Sequence, residues 1–286
     1  MTASTRPHSL RAARRPRLGL SVRRVLTVVA LARAAQFVEA ILFPLVAVER
    51  GAGTTGAAQV LLALALGTTA GSLFGGSAVD RFGARAAAIG GLGLAASGAL
   101  ALAAVEEVEL LAIAAALYGA ATATWRLALE AATAHALAEG RLPGDDGQND
   151  RQVRERAFGA LIWLVNIGAL GSAVALAAGL DLTAAVLLQA GTMAVAAIVA
   201  AGLVPRRAES APRSALPARG WSAVPRVMWL LALSYAPFTA VMFQAFAGLA
   251  VVFEDADYRL MVLINATTLV LFPLVLCAWW PAWTVG

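Results

Sequence analysis

Residues 76–85 read Gly76-Ser77-Ala78-Val79-Asp80-Arg81-Phe82-Gly83-Ala84-Arg85, and their three charges interrupt two long apolar runs. A charged break this short predicts a tight polar turn between two membrane-spanning helices. The rest of the chain agrees. Hydrophobic residues make up 60% of it and charged residues 14%, and the mean hydropathy of +0.76 excludes an ordinary water-soluble domain. Apolar runs fall at 25–48, 57–79, 86–104, 108–133, 157–178, 183–204, 227–252 and 260–280, each near the roughly 20 residues that cross hydrocarbon as helix. They lack the two-residue alternation of a barrel strand, and a bilayer leaves backbone groups nowhere else to bond. The expected fold class is all-α, a polytopic membrane protein with eight spans.

All 22 basic residues are arginine. Eighteen of them fall before the first span, in the 80–85 turn, between the fourth and fifth spans, or between the sixth and seventh, all on one predicted side. Arg50 and Arg259 alone belong to the other side, and Arg33 and Arg126 lie within spans. The positive-inside rule then predicts cytoplasmic amino and carboxyl termini. The first run is too long for a cleaved signal, so it is read as a span. The expected organisation is a basic cytoplasmic tail over 1–24, a six-helix bundle over 25–204, a cytoplasmic linker over 205–226 rich in proline and arginine, and a partial second bundle of two helices over 227–286. The single cysteine, Cys277, excludes an intrachain disulfide.

The spacing Gly76, three residues, Asp80-Arg81, one residue, Gly83, one residue, Arg85 resembles the motif of the major facilitator superfamily in the cytoplasmic turn between its helices 2 and 3. Read from the residues, Gly76 would admit a close helix neighbour, Gly83 would take a backbone conformation that a Cβ resists, and Asp80 would accept hydrogen bonds at a helix amino terminus. Arg81 and Arg85 would pair with acids on the fourth span or with headgroups. The stretch Asn166-Ile167-Gly168, with Gly171, also resembles a motif common in the fifth helix of that family. The resemblance implies that the motif residues act as a conformational switch holding two halves together, and that the aspartate matching Asp80 caps a helix of the second half. It implies secondary transport of a small molecule through the plasma (inner) membrane by alternating access, as efflux and with proton coupling. Twelve helices are usual there and eight are expected here. The alternatives are therefore a truncated, transport-incompetent remnant or a non-transporting membrane scaffold, and the 286-residue chain alone is expected to carry no flux.

Charges within spans are the candidates for function, because each costs about 2.5–3.5 kcal/mol on insertion scales. The first span carries Arg33, Gln36 and Glu39. Gln36 and Glu39 share a helix face, and Glu39 is expected to exchange a proton or to contact a cationic substrate. Arg33 has the alternative of snorkelling to the interface. Arg126 and Glu130, four apart on the fourth span, are a candidate charge relay or a pair that masks its own charges. Gln189, Gln244 and Asn265 read as helix contacts. No nucleophile–base set, phosphate-cradling loop or metal cluster is legible, so no enzyme activity, cofactor or metal is expected. The expected partners are the lipid bilayer and a small molecule, with no nucleic acid.

Overall fold

A computed structural model describes residues 19–34, 39–139 and 147–205, together with Leu260, Leu263, Ile264, Thr267, Thr268, Val270 and Leu271. Among the described residues every regular element is an α-helix: α1 (Leu20–Arg33), α2 (Glu39–Glu49), α3 (Gly53–Phe82), α4 (Ala84–Ala104), α5 (Val108–Glu139), α6 (Gly147–Ala177) and α7 (Leu182–Leu203). Helices α3 to α7 are long and apolar enough to cross a membrane, and the chain is an integral membrane protein.

The boundaries differ from those read in the sequence. Of the first run, α1 and α2 cover 14 and 11 residues, and residues 35–38 between them lie outside the described residues. Residues Gln36, Gln244, Asn265 and Cys277, the run at 227–252 and the linker beyond Pro205 lie outside the described residues. Helix α1 already begins at Leu20, so Arg23 and Arg24, assigned to the tail, are helical. Helices α3, α5 and α6 reach 30, 32 and 31 residues. Hydropathy locates the stretch that lipid covers, whereas backbone hydrogen bonding, once nucleated, continues past it for as long as each added residue gains a bond.

Helix α5 lies at the centre, against α3 on one side and α4 on another; α4 also packs on α7, α7 on α1, and α1 on α6. The α3–α5 seam is set by small residues at four-residue spacing. A Cβ added to Gly67 or Gly71 would overlap the carbonyl oxygens of Ala116 or Ala120, and one on Gly75 would stand 3.1 Å from Thr124 Cα. Lipid tails are as apolar as leucine, so helix association in a membrane depends on such close backbone approach.

Two arginines pin the ends of α4. Arg50 Nη2 donates to the Ala103 carbonyl at 3.0 Å, one of the last carbonyls of α4, which have no partner within the helix. At the opposite end Arg85 Nη2 donates to the carbonyl of Ala201, in the last turn of α7. The turn expected between α3 and α4 is the single residue Gly83, at φ +84°, the left-handed region that a Cβ disfavours. Of the last apolar run, Leu263 packs against the core of the bundle.

Candidate functional site

Apart from Glu109 at the edge of its run, the eight apolar runs hold four charged side chains: Arg33, Glu39, Arg126 and Glu130. The fold gathers all four. Arg33 ends α1 and Glu39 begins α2, and Arg33 lies within electrostatic range of Glu39, Arg126 and Glu130 together. Its guanidinium sits over the ring of Trp125 on α5, 5.2 Å from the centroid, a cation–π contact. Arg33 is therefore turned into the bundle and does not snorkel. Arg126 Nε approaches Glu130 Oε1 at 3.9 Å, with the two side chains 41% and 49% exposed. So long and open a pair neutralises little of its own charge.

A second group of polar atoms adjoins these charges. Tyr118 on α5 and Gln189 on α7 are fully buried, and Gln189 Nε2 donates to the Tyr118 hydroxyl. That hydroxyl also lies beside the Glu39 carboxylate and the Thr122 side chain. Phe43, one turn after Glu39, places its ring edge-on to Tyr118, at 4.9 Å between centroids and 81° between planes. Tyr118, Thr122, Arg126 and Glu130 follow one another at four-residue steps, so α5 carries a polar stripe with a rung about every 6 Å.

The neighbouring helices explain why these side chains hold their places. The last carbonyls of α1 have no partner within the helix, and Ser172 Oγ on α6 donates to that of Ala34 at 3.0 Å. Gly168 brings α6 against the Arg33 carbonyl, while Gly91 and Gly98 on α4 accommodate Trp125 and Tyr118. The buried polar atoms with no hydrogen-bond partner among the described residues include Glu39 Oε2, Gln189 Oε1 and Trp125 Nε1. Each such group costs about 1–3 kcal/mol, and three converging on one interior mark a place where a proton or ligand would supply the missing bonds.

The motif residues lie at the basic end of the bundle. Asp80 is exposed and, with Arg81, Gly83, Arg85 and His135, lines a cleft of about 900 Å³. The Arg81 guanidinium lies 5.4 Å from the centroid of the Phe82 ring. One expectation, that for Gly76, is corrected. Among the described residues nothing lies within 4 Å of a Cβ placed on Gly76; the close approach is made by Gly75 instead, because only that position of the pair faces α5. Arg85 bonds a helix-end carbonyl, and the acid Glu130 has Arg126 as its ion-pair partner. Sequence reasoning passed over Tyr118, Trp125 and the site role of Gln189; the four-residue polar stripe on α5 was the signal that could have found the first. Among the described residues no group of three or more His, Cys, Asp or Glu could hold a metal ion. No protein-family model matches this chain, and no curated protein matches it.

Proposed function

We propose that this chain is a secondary transporter of the major facilitator type, moving a small molecule across the plasma membrane by alternating access, with Glu39 as the group that takes up and releases a proton. The observation that carries this reading is that Arg33 and Glu39, from α1 and α2, meet within electrostatic range of Arg126 and Glu130 on α5, at a bundle interior where Glu39 Oε2 and Gln189 Oε1 lack partners. Intramembrane ionisable groups that converge in this way mark pathways.

Helix pairing supports the same reading. Taking α1–α2, α3 and α4 as one triplet and α5, α6 and α7 as another, α3 packs on α5 as α6 packs on α1, and α4 packs on α5 as α7 packs on α1. The α4–α7 contact is its own counterpart. Duplicated triplets of opposite direction are a hallmark of transporters built from inverted repeats. The single-residue turn at Gly83 fits the motif that carries the resemblance.

Sealed membrane vesicles from cells expressing the chain, loaded with a pH-sensitive dye, test the proposal. Addition of organic acids and amines one at a time should change luminal pH for at least one class, and Glu39→Gln at equal membrane content should abolish the change. Silence toward every compound, the outcome expected of a truncated remnant or a membrane scaffold, would sink the transport reading, and full activity in Glu39→Gln would remove Glu39 as the proton carrier.

A further inference from the structure

We infer that the interior site takes an organic anion, a carboxylate or sulfonate on an apolar body, and takes it together with a proton. The inference rests on the transport reading and concerns the substrate class of the same site. It begins from a charge sum that the whole sequence bounds. The runs at 57–79, 86–104, 157–178, 183–204, 227–252 and 260–280 contain no Arg, Lys, Asp or Glu, so no other span adds to Arg33, Arg126, Glu39 and Glu130. With both carboxylates ionised the set is neutral, and with Glu39 protonated it carries one positive charge.

A cation entering the neutral set would face two guanidinium groups with no surplus carboxylate to receive it, and a cation entering the protonated set would face a net positive interior. An anion meets the opposite situation once Glu39 holds a proton. The unpartnered atoms then match it as well: Trp125 Nε1–H and the protonated Glu39 Oε2 become two donors beside the Arg33 guanidinium, which already lies on the Trp125 ring. Gln189 Oε1 is left for a donor or a water molecule. Donor pairs beside an arginine are the arrangement that reads the oxygens of a carboxylate or sulfonate.

The groups acting on Glu39 from its surroundings are Arg33 from α1 and Tyr118 and Arg126 from α5. The neighbour contributed by α7 to the Tyr118 hydroxyl is the uncharged Gln189, and α3, which also packs on α2, has no charged side chain in its apolar run. Protonation of Glu39 is thus the step that changes the sign of the site. Proton and anion enter together, which makes the coupling a symport and reverses the efflux that the motif resemblance implies.

Two ions of one shape and opposite permanent charge, benzenesulfonate and phenyltrimethylammonium, provide the test, because neither titrates. Their binding to the purified full chain in detergent would be measured by calorimetry at about pH 5.5 and about pH 8.5, spanning the range in which carboxylates with shifted affinities exchange protons. Benzenesulfonate should bind, more tightly at the lower pH, and phenyltrimethylammonium should not. Glu39→Gln, neutral at every pH, should bind benzenesulfonate equally at both. Arg33→Gln should weaken binding roughly tenfold or more, as loss of a desolvated charge partner does, and the half-open Arg126→Gln should weaken it less. Preference for the cation, loss of benzenesulfonate binding in Glu39→Gln, or no binding of either ion would overturn the inference. The expected anion pattern without proton movement in vesicles would leave it standing and sink the transport reading, while proton movement driven by amines alone would do the reverse.

Discussion

Helix α5 presents two faces that hold their neighbours by opposite means. Toward α3 it offers Ala116, Ala120 and Thr124 to Gly67, Gly71 and Gly75, a dry seam in which backbones nearly touch. Toward α1, α2 and α7 it offers Tyr118, Thr122, Trp125 and Arg126, and the interface is made of a cation over a ring, a hydroxyl–amide bond and polar atoms with no partner. The seam gains dispersion energy over many contacts at close backbone approach. The polar face has alternative arrangements: its cations and carboxylates can exchange partners, and its unpartnered atoms gain from a change of protonation or occupancy. One face keeps the helices in register, and the other is where a change of state would be felt.

The comparison breaks most visibly at the seam. Gly71→Leu should force α3 off the Ala120 carbonyl and cost more than about 3 kcal/mol, above the usual range for overpacking, so that no monodisperse protein survives size-exclusion chromatography in detergent. Gly76→Leu, five positions on and open, should change stability by less than about 0.5 kcal/mol. A Gly71→Leu protein that elutes and melts like the wild type would mean that the seam is looser than the backbone distances say.

A middle-sized effect sharpens the account of the polar face. Tyr118→Phe removes the acceptor of the Gln189 amide and should cost about 1–3 kcal/mol, the penalty of a buried donor left unpaired. Adding Gln189→Leu should recover part of the loss, because it removes the stranded amide. Thermal melts of the two single variants and the double variant decide this, and purely additive losses would mean that the two groups do not bond.

The smallest effect belongs to the most conspicuous charge pair. Arg126 and Glu130 are half open and 3.9 Å apart, so Glu130→Gln should alter stability by about 0–1 kcal/mol. A larger loss would show that Glu130 serves chiefly as a counter-charge to Arg33, a role for which its position is suitable.

Much of the seam could have been read before the fold was seen. Gly67, Gly71 and Gly75 recur at the spacing that lines up one helix face, and Gly83 marks the turn where its φ of +84° is found. The choice between Gly75 and Gly76 could not be read, since both are glycines near the end of one run and only the facing of α5 separates them. The polar face was half legible. Hydropathy exposes Arg33, Glu39, Arg126 and Glu130 as outliers in their runs, but reads them as two local sets on two spans.

The amino-acid sequence by itself determined that the chain is helical, that it lives in a bilayer, and which few side chains carry charge into the apolar runs. Those properties follow from local composition and period, because a residue's cost in hydrocarbon and its place on a helix depend on near neighbours. Tertiary structure alone decided that Arg33 lies on Trp125, that Tyr118 bonds Gln189 across 71 residues, and that Arg50 and Arg85 bond helix-end carbonyls. Hydropathy assigns each polar side chain a cost without naming its partner, and the partner is settled when helix packing brings distant positions to hydrogen-bonding distance.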